Sequence, residues 1–99
     1  MTTLVLETDP AAIDVQVDAK TLTVTLEDGR QLRVPLAWYP RLEAGSQAEC
    51  ENWELLGDGY AVAWADLDEH IGVEGLLAGR KSQESRASFE KWLEAREVG

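Results

Sequence analysis

Residues 12–36 read AIDVQVDAKTLTVTLEDGRQLRVPL, and this stretch decides the fold. Ile13, Val15 and Val17 alternate with Asp14, Gln16 and Asp18, the period of a half-buried strand. A tight turn at Ala19-Lys20 follows, and then Leu22, Val24 and Leu26 alternate with Thr21, Thr23 and Thr25. Threonine is at home on the outer face of a pleated surface. Asp28-Gly29 is the strongest hairpin signal in the chain and predicts a type I′ turn, which needs positive φ at both central residues. Leu32, Val34 and Leu36 then supply a third strand, with Gln31 and Arg33 outward. Pro35 cannot donate to a ladder, so it marks a sheet edge or the strand's end. The prediction is a three-stranded antiparallel meander.

Beyond the meander the pattern changes to short helices and a second hairpin. Tyr39 is driven extended by Pro40, which suits the first turn of a short helix. Ser46 with Glu49 spells a capping box for another short helix through about Asn52. Trp53 to Leu56, Gly57-Asp58-Gly59 and Tyr60 to Trp64 read as a hairpin in which Trp53, Leu55, Tyr60, Val62 and Trp64 share one face. Ala65 to His70 reads as an acidic loop. Val73, Leu76 and Leu77 predict a short helix ending at Gly79. Arg80 to Glu84 is polar and reads as a linker. A last helix beginning near Ser82 or Ser85 would place Ser85, Phe89, Trp92, Leu93 and Arg96 at helical spacing. The class expected is α+β: a small antiparallel sheet built from a three-stranded meander plus a second hairpin, with short helices. Residues 1–79 form the compact part. Residues 80–99 add a linker and an amphipathic helix that belongs to the same domain or serves assembly.

Composition narrows the function classes. Ninety-nine residues make one domain with one modest core. Nineteen acidic residues against nine basic ones leave a formal net charge of −10, which repels phosphate and anionic membrane and favours a basic partner or simple solubility. Cys50 is the only cysteine, which suits a reducing compartment. Met1 to Glu7 lacks the basic and apolar regions of a signal peptide, and no apolar run approaches the ~20 residues of a membrane span. The expected address is the cytoplasm.

Few residues invite chemistry. Asp66, Asp68, Glu69 and His70 combine carboxylates with the one imidazole, but their spacing fits neither an EF-hand nor a zincin, and acids before a helix complement its dipole. His70 as a base would need a nucleophile and an orienting group. Ser46, Ser82, Ser85 and Ser88 lack a nucleophile-elbow context and read as caps or helix-surface groups. Cys50 lies between Glu49 and Glu51, whose charge opposes thiolate formation. Gly57-Asp58-Gly59 lacks the lysine and the following helix of a phosphate loop. Trp38 and Tyr39 beside Arg41 could stack on a partner, or cover the sheet while Arg41 pairs locally. Phe89, Trp92 and Leu93 make a narrow apolar stripe that docks back on the domain, or else on another chain.

Two segments carry a further signal: Val34-Pro35-Leu36-Ala37-Trp38-Tyr39-Pro40-Arg41-Leu42, and Leu67-Asp68-Glu69 and Ile71 with Val73, Gly75, Leu76, Leu77 and Gly79. Together with Asp28-Gly29-Arg30 and with Glu51-Asn52-Trp53 through Gly57, Gly59 and Trp64, they resemble the bacterial family known as domain of unknown function 2442. The Ser82 to Arg96 segment looks like the serine-spaced, tryptophan-containing tail of its longer members. Ala65 stands where members commonly have proline, His70 where a third acid is usual, and Gly72 where serine is usual. The resemblance implies an α+β fold with no established enzymatic activity. Some members are encoded beside a second small protein, of domain of unknown function 4160, in what looks like a toxin–antitoxin pair with this type as antitoxin. Others are fused to a helix-turn-helix domain, for which these 99 residues leave no room.

The resulting expectation is a non-enzymatic, acidic interaction protein that is antitoxin-like or regulatory. It would bind a small basic partner encoded by a neighbouring gene, without cofactor, metal, membrane or direct nucleic-acid contact. The partner-binding residues expected are Trp38, Tyr39, Arg41, Asp66, Asp68, Glu69, Phe89, Trp92 and Leu93. An accessory domain of a DNA-linked regulatory system and a small metal protein are the alternatives. A homodimer is a further option, because edge strands and an apolar helix stripe both invite pairing.

Overall fold

The computed structural model describes residues 10–98. The signal-peptide reading of Met1 to Glu7 lies outside the described residues. Strands β1 (Ala12–Val17), β2 (Thr21–Leu26) and β3 (Gln31–Pro35) form an antiparallel sheet in the order β1-β2-β3, the predicted meander. Val15 pairs with Val24, which pairs on its other side with Leu32, and Val17 pairs with Leu22, which pairs on its other side with Val34. Leu22, Val24 and Leu26 are wholly buried beneath this sheet. Pro35 is the last residue of an edge strand, where its missing N–H costs nothing.

Two details depart from the sequence reading. Ile13 does not point inward: it is 55% exposed, and Ala12 takes the core position instead. The cause is a bulge, since Ala12 pairs with Leu26 while Asp14 already pairs with Thr25. The extra residue shifts the alternation and lets the Ala12 N–H reach the Gly59 carbonyl at 2.7 Å. The Asp28-Gly29 turn is not type I′. Gly29 has φ of +94° while Asp28 does not have positive φ. The Gly29 N–H donates to Leu26 O and the Leu26 N–H to Arg30 O, so a three-residue loop with glycine at its left-handed position closes the hairpin. Outward-facing Thr23 is only 8% exposed, because it lies on the central strand between Gln16 and Arg33.

A 3-10 turn at Leu36–Trp38 leads into α1 (Pro40–Ala44), which starts on its proline as expected. Helix α2 (Gln47–Glu51) carries the predicted capping box: Ser46 Oγ accepts from the Glu49 N–H at 3.1 Å, and Glu49 Oε1 accepts from the Ser46 N–H at 2.9 Å. Strands β4 (Glu54–Leu56), β5 (Ala61–Trp64) and β6 (Glu69–Gly72) form a second antiparallel sheet in the order β4-β5-β6. Strand β6 corrects the reading of Ala65 to His70 as loop. Only Ala65–Leu67, a 3-10 turn, and Asp68, at φ of +51°, are loop, and Glu69 and His70 pair with Trp64 and Ala63. The short strand carries one large apolar residue, Ile71, too little for an alternation, so pairing with β5 makes it a strand. Tyr60 is a second correction. It precedes β5, is 66% exposed, and lays its ring over Gly57 rather than joining the buried face of Val62 and Trp64.

The core lies between the sheets and the short helices. Trp64 is its largest wholly buried member, and its indole N–H donates to the Cys50 carbonyl at 2.9 Å. Leu42 of α1, Cys50 of α2 and Val73 and Leu76 of α3 (Val73–Leu77) close around it. Gly79, at φ of +73°, ends α3 as expected. Helix α4 (Arg86–Val98) follows, with Ser85 Oγ accepting from the Ser88 N–H at 3.1 Å. The fold is α+β. No helix among the described residues is long and apolar enough to cross a membrane.

Candidate functional site

Arg41 organises a cleft beside β6. Pro40 starts α1 and so points Arg41, one residue on, toward the turn after β5. Its Nη1 donates to the Asp68 carbonyl at 2.9 Å and to the Leu67 carbonyl at 3.3 Å, with Asp68 Oδ2 at 3.5 Å. Its Nε and Nη2 grip the Glu84 carboxylate side-on, with Nε to Oε1 at 2.9 Å. The side chain is only 14% exposed. Glu84 holds the guanidinium pKa above its ordinary value, and Arg41 in turn holds the Glu84 carboxyl below its own. Arg41 is therefore spent on the fold. It joins α1, the Asp68 turn and the segment before α4.

The cleft beside it has a volume of about 590 Å³ and lies between β6 and residues 80–88. Arg41, Asp68, Glu69, His70, Glu84 and Ser88 are among its walls. The left-handed turn at Asp68 throws that carboxylate outward, and its side chain is 93% exposed. Glu69 beside it is half-buried, and its side chain accepts the His70 N–H at 3.1 Å. Burial pushes the Glu69 carboxyl pKa up, against the smaller opposing pull of that N–H and of Arg41. The mouth thus carries one solvated carboxylate and one half-desolvated one.

The sequence-selected residues divide into two groups. Asp68, Glu69, Tyr39 and Arg41 are brought together at the cleft. Tyr39 is buried, donates its O–H to the Arg80 carbonyl at 2.7 Å, and has its phenol pKa raised by burial. Asp66 is separated from them, because its carboxylate accepts from Asn52 Nδ2 at 2.9 Å at the end of α2. Trp38 is half-buried under Lys81, whose Nζ lies 5.5 Å from the ring centroid. Phe89 and Trp92 stack with centroids 5.7 Å apart, and Phe89, Trp92 and Leu93 are all half-buried. Trp92 also receives the Arg41 and Arg96 guanidinium groups at 5.0 and 4.7 Å. The ion pairs of Glu49 and Glu84 escaped sequence reasoning. Their arginine partners lie 47 and 43 residues away, and no local pattern encodes such pairs.

The chemistry of the serines and the cysteine is accounted for locally. Ser46 and Ser85 cap helices, Ser82 Oγ accepts from the Glu84 N–H, and Ser88 Oγ donates to Glu84 at 2.8 Å. Cys50 is buried, with Sγ on the Leu42 carbonyl at 3.2 Å, and burial followed by Glu49 and Glu51 raises its thiol pKa. No group of three or more His, Cys, Asp or Glu residues among the described residues converges on a cation position.

A family model described as Protein of unknown function (DUF2442) matches residues 12–82. The chain belongs to this family. The match spans both sheets and ends before α4, so the DUF2442 body supplies Arg41 while α4 lies beyond the matched residues. A crystal structure of a protein of unknown function from Rhodospirillum rubrum is similar to the chain at a TM-score of 0.66 and 29% identity, over 81% of this chain and 96% of that one. No curated protein matches.

Glu49 makes the α4 contact sensitive to acid. Arg96 Nη2 lies 2.7 Å from Glu49 Oε1, and this bond, with the Ser46 N–H, lowers the Glu49 pKa from the ordinary 4.5 to about 2. A carboxyl depressed by folding contributes stability that is complete above its unfolded pKa and is lost as pH falls through the folded one. Stability measured by urea titration is therefore expected to fall between about pH 4.5 and about pH 2, and Glu49→Gln is expected to flatten this part of the profile.

Proposed function

We propose that this DUF2442 chain is a non-enzymatic interaction module that captures a basic side chain of a small partner protein at the cleft mouth. The observation that carries this reading is the pairing of Asp68, solvated at 93% exposure, with the half-buried Glu69 carboxylate one residue on. An incoming lysine or arginine would neutralise both and recover the desolvation that Glu69 already bears. The net charge of −10 extends the attraction beyond contact range and makes association fast and salt-sensitive. The six ion pairs among the described residues all use arginine, and Glu51, Glu54 and Asp66 are not among their carboxylates. In an antitoxin-like pair the partner would be the basic protein encoded by a neighbouring gene. The buried, unpaired Cys50 suits a cytoplasmic setting for such a pair.

Co-expression with the neighbouring gene product followed by pull-down tests the reading. A complex at low salt that weakens as salt rises is expected. Asp68→Lys with Glu69→Lys is expected to weaken it by about a hundredfold, mostly through the association rate. No complex with the neighbouring product at low salt would refute the reading.

A further inference from the structure

We infer that α4 is a releasable strap, closed over the DUF2442 body by a reciprocal arginine–glutamate clasp, and that its release opens the cleft beside Arg41. The body helices are each anchored by a buried residue: Leu42 in α1, Cys50 in α2, Val73 and Leu76 in α3. Helix α4 has none among its described side chains. Phe89, Trp92, Leu93 and Arg96 are half-buried and the rest are exposed. Trp92 packs against the edge of the core without being buried in it, and the rest of the attachment is ionic, with charges that cross in both directions. The body's Arg41 grips Glu84 in the segment leading into α4, while Arg96 of α4 grips the body's Glu49 at 2.7 and 3.1 Å. Both guanidinium groups also rest on the Trp92 indole. Contacts of this kind are screened by salt, whereas apolar burial is not.

The strap also has a point to turn about. Gly79, left-handed at φ of +73°, closes α3; the Tyr39 O–H on the Arg80 carbonyl and the Ser82 N–H on the Trp38 carbonyl, at 3.0 Å, hold the chain to the body as far as Ser82, and the irregular residues beyond it let the strap turn. Gln83, Glu84 and Ser88 form part of one wall of the cleft, so moving the strap opens that wall and strips Arg41 of the Glu84 carboxylate. Access to the cleft is thereby coupled to an ionic contact outside the family-matched residues. The inference does not depend on what the cleft binds.

Hydrogen exchange on the full chain, at about 20 mM and about 1 M salt, tests this. The working variant combines Glu49→Gln with Glu84→Gln. Glutamine at the third helical position still completes the Ser46 capping box, so only the charge is lost. Arg86→Gln is the control, since it removes the Arg86–Glu90 pair within α4 and leaves the clasp intact. Amides of residues 86–98 are expected to exchange at least about tenfold faster in the double variant and in high salt, with those of β2 and β5 unchanged. The NMR signal of His70, the only histidine and a cleft residue, is expected to move under the same conditions. The inference fails if α4 exchanges as slowly as β2 and β5 in every form. It fails equally if Arg86→Gln speeds exchange as much as the double variant does.

Discussion

Trp64→Ala is expected to destabilise the domain by about 4 kcal/mol, the usual range for emptying a buried tryptophan site. A domain of this size has roughly 5–15 kcal/mol in total, so the variant should be largely unfolded in modest urea. Two terms add. The indole is wholly buried where both sheets meet the short helices, so its removal leaves a cavity that β5 cannot collapse into. Its N–H also satisfies the carbonyl of Cys50 at the end of α2, which alanine leaves unpaired. Trp64→Phe separates the terms: it keeps most of the apolar volume and loses the hydrogen bond, for an expected cost of about 2 kcal/mol. Urea midpoints at constant m-value give both numbers. A midpoint for Trp64→Ala within error of the parent would show that the indole is not the keystone described here.

Gly59→Ala should cost about 3 kcal/mol, far more than the same change in an open turn. Gly59 has φ of +99°, and a Cβ there would lie 2.4 Å from the Ala12 carbonyl oxygen and 3.0 Å from the Ala11 Cβ. The carbonyl is backbone at the junction where the Ala12 N–H meets the Gly59 carbonyl, and a Cβ is fixed rigidly to its own backbone, so nothing flexible can yield. Gly29 has nearly the same φ, +94°, with nothing near its missing Cβ. Gly29→Ala therefore carries only the conformational term, about 1 kcal/mol. The difference between the two thermal or urea shifts isolates the steric clash. Equal shifts would mean that the two sheets part easily at this junction.

The same junction explains where the sequence was and was not legible. Leu22, Val24 and Leu26 obey a strict alternation on a central strand, and their burial was readable from it. Ile13 sits in an equally regular pattern, yet the bulge that accompanies the Ala12–Gly59 contact turns it outward. A contact 47 residues away cannot be read from a local period. Strand β6 was hidden for a related reason, because its ladder partner in β5 defines it and its own residues do not. Capping chemistry, being local, was fully legible at Ser46 with Glu49, at Pro40 and at Gly79. At the site, the short-range neighbours Asp68 and Glu69 were visible as candidates. The long-range partners of Arg41 and Glu49 became visible only when the chain was folded.

Each sheet is a meander whose strands run in sequence order, 1-2-3 and 4-5-6, so every ladder joins neighbours along the chain. Closing such ladders costs little loop entropy, which places the domain toward the fast end of the kinetic range for proteins built on sheets. Joining the two sheets is the longer-range step, and the Ala12 N–H on the Gly59 carbonyl is one of the contacts that makes it, beside those of α2 with β1 and of α3 with β3.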